Sequence, residues 1–181
     1  MSSPRPAPPA TLVIGMLLAR RGDFPEVAAL LAERFGAFDL VSPWWAFAFT
    51  AYYAAEMGAP LSRRVIAFRR RVPQEALAEI KLVTGELEGR RAREGRRTVN
   101  LDPGILVPER VVLATGKPAA HRIYLGSGIY ADLALVYREG AFRPLPWTYP
   151  DYAGAPLRGF LEAVRARHLF DRRETASWSA A

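Results

Sequence analysis

Apolar residues recur along this chain with two periods, and the elements follow from them. Residues 11–19 (TLVIGMLLA) form an unbroken apolar run, too short to span a bilayer and uniform enough to predict a strand buried on both faces near mid-sheet. Phe24, Val27, Leu30, Leu31 and Phe35 fall on one helical face, and Gly36 predicts the stop. Residues 39–41 and 44–49 read as extended or irregular around Pro43. A short helix follows, with Thr50 as its N-cap and Gly58 as its end. Val65, Ile66 and Phe68, set among arginines, predict a third strand. Pro73 then opens what the pattern makes the longest helix, with Ala76, Leu77, Ile80, Val83 and Leu87 inward, ending in the arginine-rich stretch near Gly95.

The second half is patterned for antiparallel strands. Residues 98–101 are extended and run into Asp102-Pro103-Gly104, whose Pro-Gly pair predicts a type II turn. Residues 111–114 fit either a strand or a short helix. Residues 121–125 and 129–137 flank Gly126-Ser127-Gly128 and read as a β-hairpin; residues 142–145 add an edge strand bounded by prolines. Leu157, Phe160, Leu161 and Val164 mark a last helix. The element order predicts a single α+β domain over residues 11–170, a ferredoxin-like β-α-β-β-α-β sandwich with an added antiparallel hairpin and C-terminal helix. Residues 1–10, with four prolines, read as a disordered lead, and residues 171–181 as a loose tail.

Composition narrows the chemistry. The chain has 181 residues, half of them apolar, and no cysteine, which removes disulfides, thiolate metal sites and cysteine nucleophiles. With no signal-peptide pattern and no membrane span, a cytoplasmic location is expected. A net charge of +7 favours anionic partners. Of the 25 basic residues only Lys81 and Lys117 are lysines, against an arginine-heavy background; Asn100 and Gln74 are the sole residues of their types, and His121 and His168 the only histidines. Residue types used this sparingly mark positions where chemistry refuses the common substitute.

Familiar motifs are absent. Gly116-Lys117 is followed by Pro118 and preceded by Val111 where a phosphate loop needs glycine. Gly126-Ser127-Gly128 precedes a strand and not a helix, and neither HExxH nor GxSxG occurs. What remains is a polar constellation between residues 100 and 132. Asn100 and Asp102 project to one side of an extended segment, where an amide and a carboxylate can hold a metal-bound water or a ligand hydroxyl; Asp102 reads equally as turn chemistry. Alternation puts His121, Ile123 and Leu125 on one side and Arg122 and Tyr124 on the other. Arg122 suits a phosphate or carboxylate, and His121 a general base; a solvated arginine and a packed histidine at a hairpin end are the plainer reading. Lys81 borders the apolar stripe of its helix, where it either snorkels or points into a cleft. Glu56 is the candidate acid of the first half, and Lys117 sits in a Gly-Lys-Pro turn. The segment holding Trp147, Tyr149 and Tyr152 reads as a lid or as a loop pinned over the core.

Arginines cluster twice, as Arg63, Arg64, Arg69, Arg70 and Arg71, and as Arg90, Arg91, Arg93, Arg96 and Arg97. Both groups flank one helix and can form a basic face for RNA or DNA phosphates, with no aromatic motif for sequence-specific readout.

The segments AYYAAEMG, AEIKLVT, VNLDPGIL, LATGKPAAHRIYLGSGIYADLAL and PLPWTYPDY, in this order across residues 11–168, resemble a prokaryotic family, the domain of unknown function 4416. Ala51 and Gly85 stand where the resemblance leads us to expect Asp and Asn. Some members carry a GTP-binding label; with no phosphate loop and no NKxD motif, this chain gives it no support. The resemblance implies one set of motif positions: Glu56, Lys81, Asn100, Asp102, Lys117, His121, Arg122, Tyr130, Trp147 and Asp151.

Three functional readings follow. In the first, an anionic small molecule, a nucleotide or other phosphate ester, binds one polar pocket. Arg122 and Lys117 hold the anion, Asn100 and Asp102 orient it or a metal, residues 147–152 cover it, and His121 or Glu56 transfers a proton if chemistry follows. In the second, the arginine face binds nucleic acid non-specifically without catalysis. In the third, the polar motifs serve turns in a structural or partner-binding protein. The sequence assigns no cofactor, metal or oligomeric state.

Overall fold

The computed structural model describes residues 3–50 and 52–178. The chain runs β1 (Ala10–Leu18), α1 (Phe24–Phe35), β2 (Phe38–Val41), β3 (Trp45–Phe47), α2 (Tyr52–Met57), β4 (Leu61–Val72), α3 (Leu77–Arg90), β5 (Val99–Val107), β6 (Arg110–Thr115), β7 (Ile123–Gly126), β8 (Ile129–Arg138), β9 (Ala141–Pro144), α4 (Pro150–Ala153) and α5 (Ala155–Trp178). Its described strands form one antiparallel sheet in the order β2-β4-β1-β5-β6-β8-β7, with β3 added to β4 and β9 to β8. The α+β class holds. The sheet is larger than a ferredoxin-like sandwich with one added hairpin: it has nine strands among the described residues and helices against both faces.

The apolar run of β1 lies between β4 and β5 with every residue buried. Leu12, Ile14, Met16 and Leu18 pack with Val27 and Leu31 of α1 and Ile80 of α3. Val13, on the opposite face, joins Leu157, Leu161 and Val164 of α5. Each such side chain contributes about 1.5–3 kcal/mol through its removal from water. Among the described residues no helix is long and apolar enough to cross a membrane.

Three expectations change, and the open choice at residues 111–114 is decided. The longest helix is α5, which continues through residues 171–178 where a loose tail was expected, whereas α3 ends at Arg90. Residues 110–115 are strand, pairing with β5 and β8. The Trp147–Tyr152 stretch includes a helical turn, α4. Asp102-Pro103-Gly104 is no turn, because β5 passes straight through it.

The reason for that last difference is the partial ladder on the far side of β5. β6 pairs with β5 only from Gly104 to Val107, so residues 99–103 have a strand neighbour in β1 alone. Leu101 points its amide and carbonyl away from β1, to Glu88 Oε1 at 2.6 Å and Lys81 Nζ at 2.8 Å. By the two-residue period of a strand, the Pro103 nitrogen faces that same side, and its missing N–H removes no bond from the β1 ladder. A Cβ on Gly104 would stand 2.7 Å from Leu113 Cδ2 and 2.8 Å from the Val112 carbonyl, so glycine is needed where β6 closes on β5.

Candidate functional site

A cavity of about 600 Å³ opens where β6 stops short of the first half of β5. Arg63 comes from β4, Asn100 and Asp102 from β5, Lys81, Gly85 and Glu88 from α3. Lys117 follows β6, Asp151 and Tyr152 belong to α4, and Phe47, Phe49, Tyr53 and Tyr149 supply aromatic walls.

The sheet register assembles its floor. Gly15 pairs with Asp102, and Leu17 with both Asn100 and Arg63, so these positions share the α5 face of the sheet. Alternation along β5 therefore aims Asn100 and Asp102 together, as their spacing predicts. The Asn100 amide accepts from Arg97 Nη1 at 3.0 Å and donates to Asp102 Oδ1 at 2.9 Å. An amide side chain suits this bridge, because its oxygen accepts from the cation while its nitrogen donates to the carboxylate. Asp102 Oδ2 then accepts from Arg63 Nη1 at 2.8 Å, and Arg63 Nη2 lies 2.7 Å from Asp151 Oδ2. At the other end Arg97 grips Glu56 with two bonds of 2.7 and 2.6 Å. The result is one chain of polar side chains, Glu56–Arg97–Asn100–Asp102–Arg63–Asp151.

Arg63 is buried, its guanidinium over the rings of Phe47 at 5.2 Å and Tyr152 at 5.7 Å. Gly15 makes that possible: a Cβ there would sit 2.8 Å from Arg63 Nη1 and 3.0 Å from Tyr152 Oη. The two carboxylates on Arg63 respond in opposite directions. Burial pushes Asp102 up, but Arg63, Lys81 and its hydrogen bonds outweigh it and hold the group below the usual carboxylate range. For Asp151 burial prevails over Arg63, and the neighbouring Asp102 charge adds to it, so its carboxyl is raised. Burial likewise raises Glu88 against the pull of Lys81. Tyr152 is 2% exposed, and its hydroxyl has no hydrogen-bond partner among the described residues, a state that costs about 1–3 kcal/mol unless water or a ligand meets it.

The sequence candidates divide. Lys81, Asn100, Asp102, Lys117 and Asp151 line the cavity. Lys81 does point into a cleft, with its ammonium on the Leu101 carbonyl. Glu56 stands behind Arg97, and the hydrogen bonds from Arg97 hold its carboxyl below the usual range. His121, Arg122, Tyr130 and Trp147 are not lining residues. His121 and Arg122 precede β7 and both approach Asp132, so the expected alternation fails; Ile123, Tyr124 and Leu125 are all exposed on this outermost strand. Arg122 donates to Asp132 at 2.9 Å, the Lys117 carbonyl at 2.8 Å and the Tyr149 hydroxyl at 2.7 Å. It braces two walls from outside the cavity, with all three of its side-chain nitrogens engaged. His121 stacks on Trp147 at 4.9 Å, and Tyr130 leans on Tyr124 at 5.2 Å.

The arginine clusters disperse over several surroundings. Arg64 lies over the Phe24 and Trp44 rings, Arg71 donates to the His168 carbonyl, and Arg91 pairs with Glu26. Arg69 and Arg90 make longer pairs with Asp39 and Glu86, and Arg70, Arg93 and Arg96 are exposed. Among the described residues no group of three His, Cys, Asp or Glu is placed to hold a metal ion.

Sequence reasoning missed Gly15, Glu88, Tyr53 and the Arg63 pairing with two aspartates. One signal was present: a glycine inside an otherwise apolar central strand marks a close approach. Of the two departures from the family pattern, Gly85 lines the cavity and Ala51 lies outside the described residues.

A family model, the domain of unknown function DUF4416, matches residues 8–168. The chain belongs to that family. No curated protein and no solved structure matches it.

Proposed function

We propose that this member of the DUF4416 family binds an anionic small molecule bearing a phosphate group in the cavity between β5, α3 and α4. The observation that carries this reading is that the only two lysines of the chain both line one cavity. A lysine is a compact point charge with three donors, and Lys81 commits one of them to a neutral carbonyl. Arg63 and Arg97 are already bonded to carboxylates and serve the walls. In this proposal the two lysines of the lining, Lys81 and Lys117, hold the anion. The cavity lies within the range of small-molecule sites, and its aromatic walls exclude water from one side of a ligand.

Titration calorimetry with inorganic phosphate, sugar phosphates and mononucleotides tests the proposal at low and high salt. Saturable binding that survives high salt is expected, weakened at least tenfold by Lys81→Met or Lys117→Met. Gly85→Trp should abolish it by filling the cavity, since Gly85 is part of the lining and a Cβ there meets nothing within 4 Å. Absence of binding by every phosphate would overturn the reading. Binding of a short RNA alone, lost at high salt and indifferent to Gly85→Trp, would favour the arginine-based alternative through exposed residues such as Arg70, Arg93 and Arg96.

A further inference from the structure

The lysines explain one end of a ligand; the floor of the same cavity sets different requirements. Asp102 and Asp151 repel a phosphate, so whatever reaches them donates hydrogen bonds. Each Asp102 oxygen accepts one protein bond, from Asn100 or Arg63, and an ionised carboxylate has about four acceptor positions in all. An ammonium group is a poor match, because Arg63 already joins both carboxylates and Lys81 stands close by. Uncharged donors remain, and hydroxyl groups fit best. Beside them Tyr152, a residue only 2% exposed, brings a buried hydroxyl that is unpartnered among the described residues and held over Gly15 next to Arg63 Nη1. A hydroxyl can both donate to a ligand oxygen and accept from one. The walls of Phe47, Tyr53 and Tyr149 suit the C–H faces of a saturated ring.

We infer that the ligand is a phosphorylated polyol of the sugar-phosphate class, with its hydroxyls on Tyr152, Asp102 and Asp151 and its phosphate on Lys81 and Lys117. This rests on the proposed anion site. Calorimetric titrations of the full chain with inorganic phosphate, glycerol 3-phosphate, ribose 5-phosphate, glucose 6-phosphate and AMP separate the two. At least one sugar phosphate should bind ten or more times tighter than inorganic phosphate. Tyr152→Phe should reduce that advantage at least threefold, leave the inorganic phosphate affinity unchanged, and melt no lower than wild type because only an unpartnered hydroxyl is removed. Lys117→Met should weaken all phosphates alike.

Sugar phosphates no tighter than inorganic phosphate, or an advantage untouched by Tyr152→Phe, would overturn the inference and leave the anion site standing. So would AMP binding tightly while ribose 5-phosphate matches inorganic phosphate, since the floor would then serve a base. A lowered melting temperature of Tyr152→Phe would show that the hydroxyl has a structural role, and would overturn it too. Failure of every phosphate to bind would remove the anion site and this inference with it.

Discussion

Two arginines in this protein, each paired with aspartate, look alike and stand in different surroundings. Arg122 meets Asp132, which is 1% exposed, and its other donors reach the Lys117 carbonyl and the Tyr149 hydroxyl. Its nitrogens are all engaged, and the group closes a corner between the segment before β7 and the segment before α4. Arg63 also meets aspartate, but it carries two of them, leaves Nε unpartnered among the described residues, and sits beside the unpartnered Tyr152 hydroxyl on the floor of a cavity. Every side-chain nitrogen of Arg122 thus has a partner, whereas Arg63 keeps an unpartnered Nε in the wall of a cavity.

The largest expected effect tests the brace. Asp132→Ala leaves the Arg122 guanidinium buried without its carboxylate and should lower unfolding stability by about 3–5 kcal/mol in a urea titration. Asp102→Ala should cost less, about 2–3 kcal/mol, because Arg63 retains Asp151. Equal losses would break the distinction. Where both variants are folded, Asp132→Ala should change phosphate affinity less than Asp102→Ala changes sugar-phosphate affinity.

A third polar site sharpens the contrast through pH. His168 on α5 is buried against Thr11 of β1, at 2.9 Å between Nδ1 and Oγ1. Burial first, then Arg71, Arg172 and Arg167, push its pKa down from 6.5 to about 4, against a smaller opposing effect of Asp171. The unfolded chain binds this proton below about 6.5 while the folded chain resists it down to about 4, so stability should fall as pH drops through that window. In His168→Gln, chemical denaturation across the same range should show a flatter slope; an unchanged slope would mean that His168 is not the group responsible. The smallest effect is Gly85→Ala, which should raise stability by about 0.5–1 kcal/mol through helix propensity. A rise without loss of phosphate binding would show that the cavity tolerates a methyl group at this exposed helix position; a loss would place the ligand against α3.

Much of the local structure was legible. The buried β1, the α1 stripe ending at Gly36 and the Gly126-Ser127-Gly128 hairpin all follow from residue order, because side-chain period and turn chemistry are local properties. The shared side of Asn100 and Asp102 was legible for the same reason. The Asp102-Pro103-Gly104 turn misled because Asp102 and Pro103 also fit a strand whose neighbour is missing on one side, and Gly104 the place where that neighbour closes in. The pairing of Arg122 was not legible, because nothing local shows that Asp132 faces it across the β7–β8 hairpin.

The sequence by itself determined the alternation of elements, the α+β class, the family and the scarcity of lysine and asparagine, all properties of composition and near-neighbour spacing. Only the tertiary structure decided which polar residues meet. Lys81, Lys117, Arg63, Asp102 and Asp151 come from five separated segments. They converge because β6 pairs with only part of β5, so that α3 and α4 close over the gap, and long-range register of this kind is set by packing across the sheet.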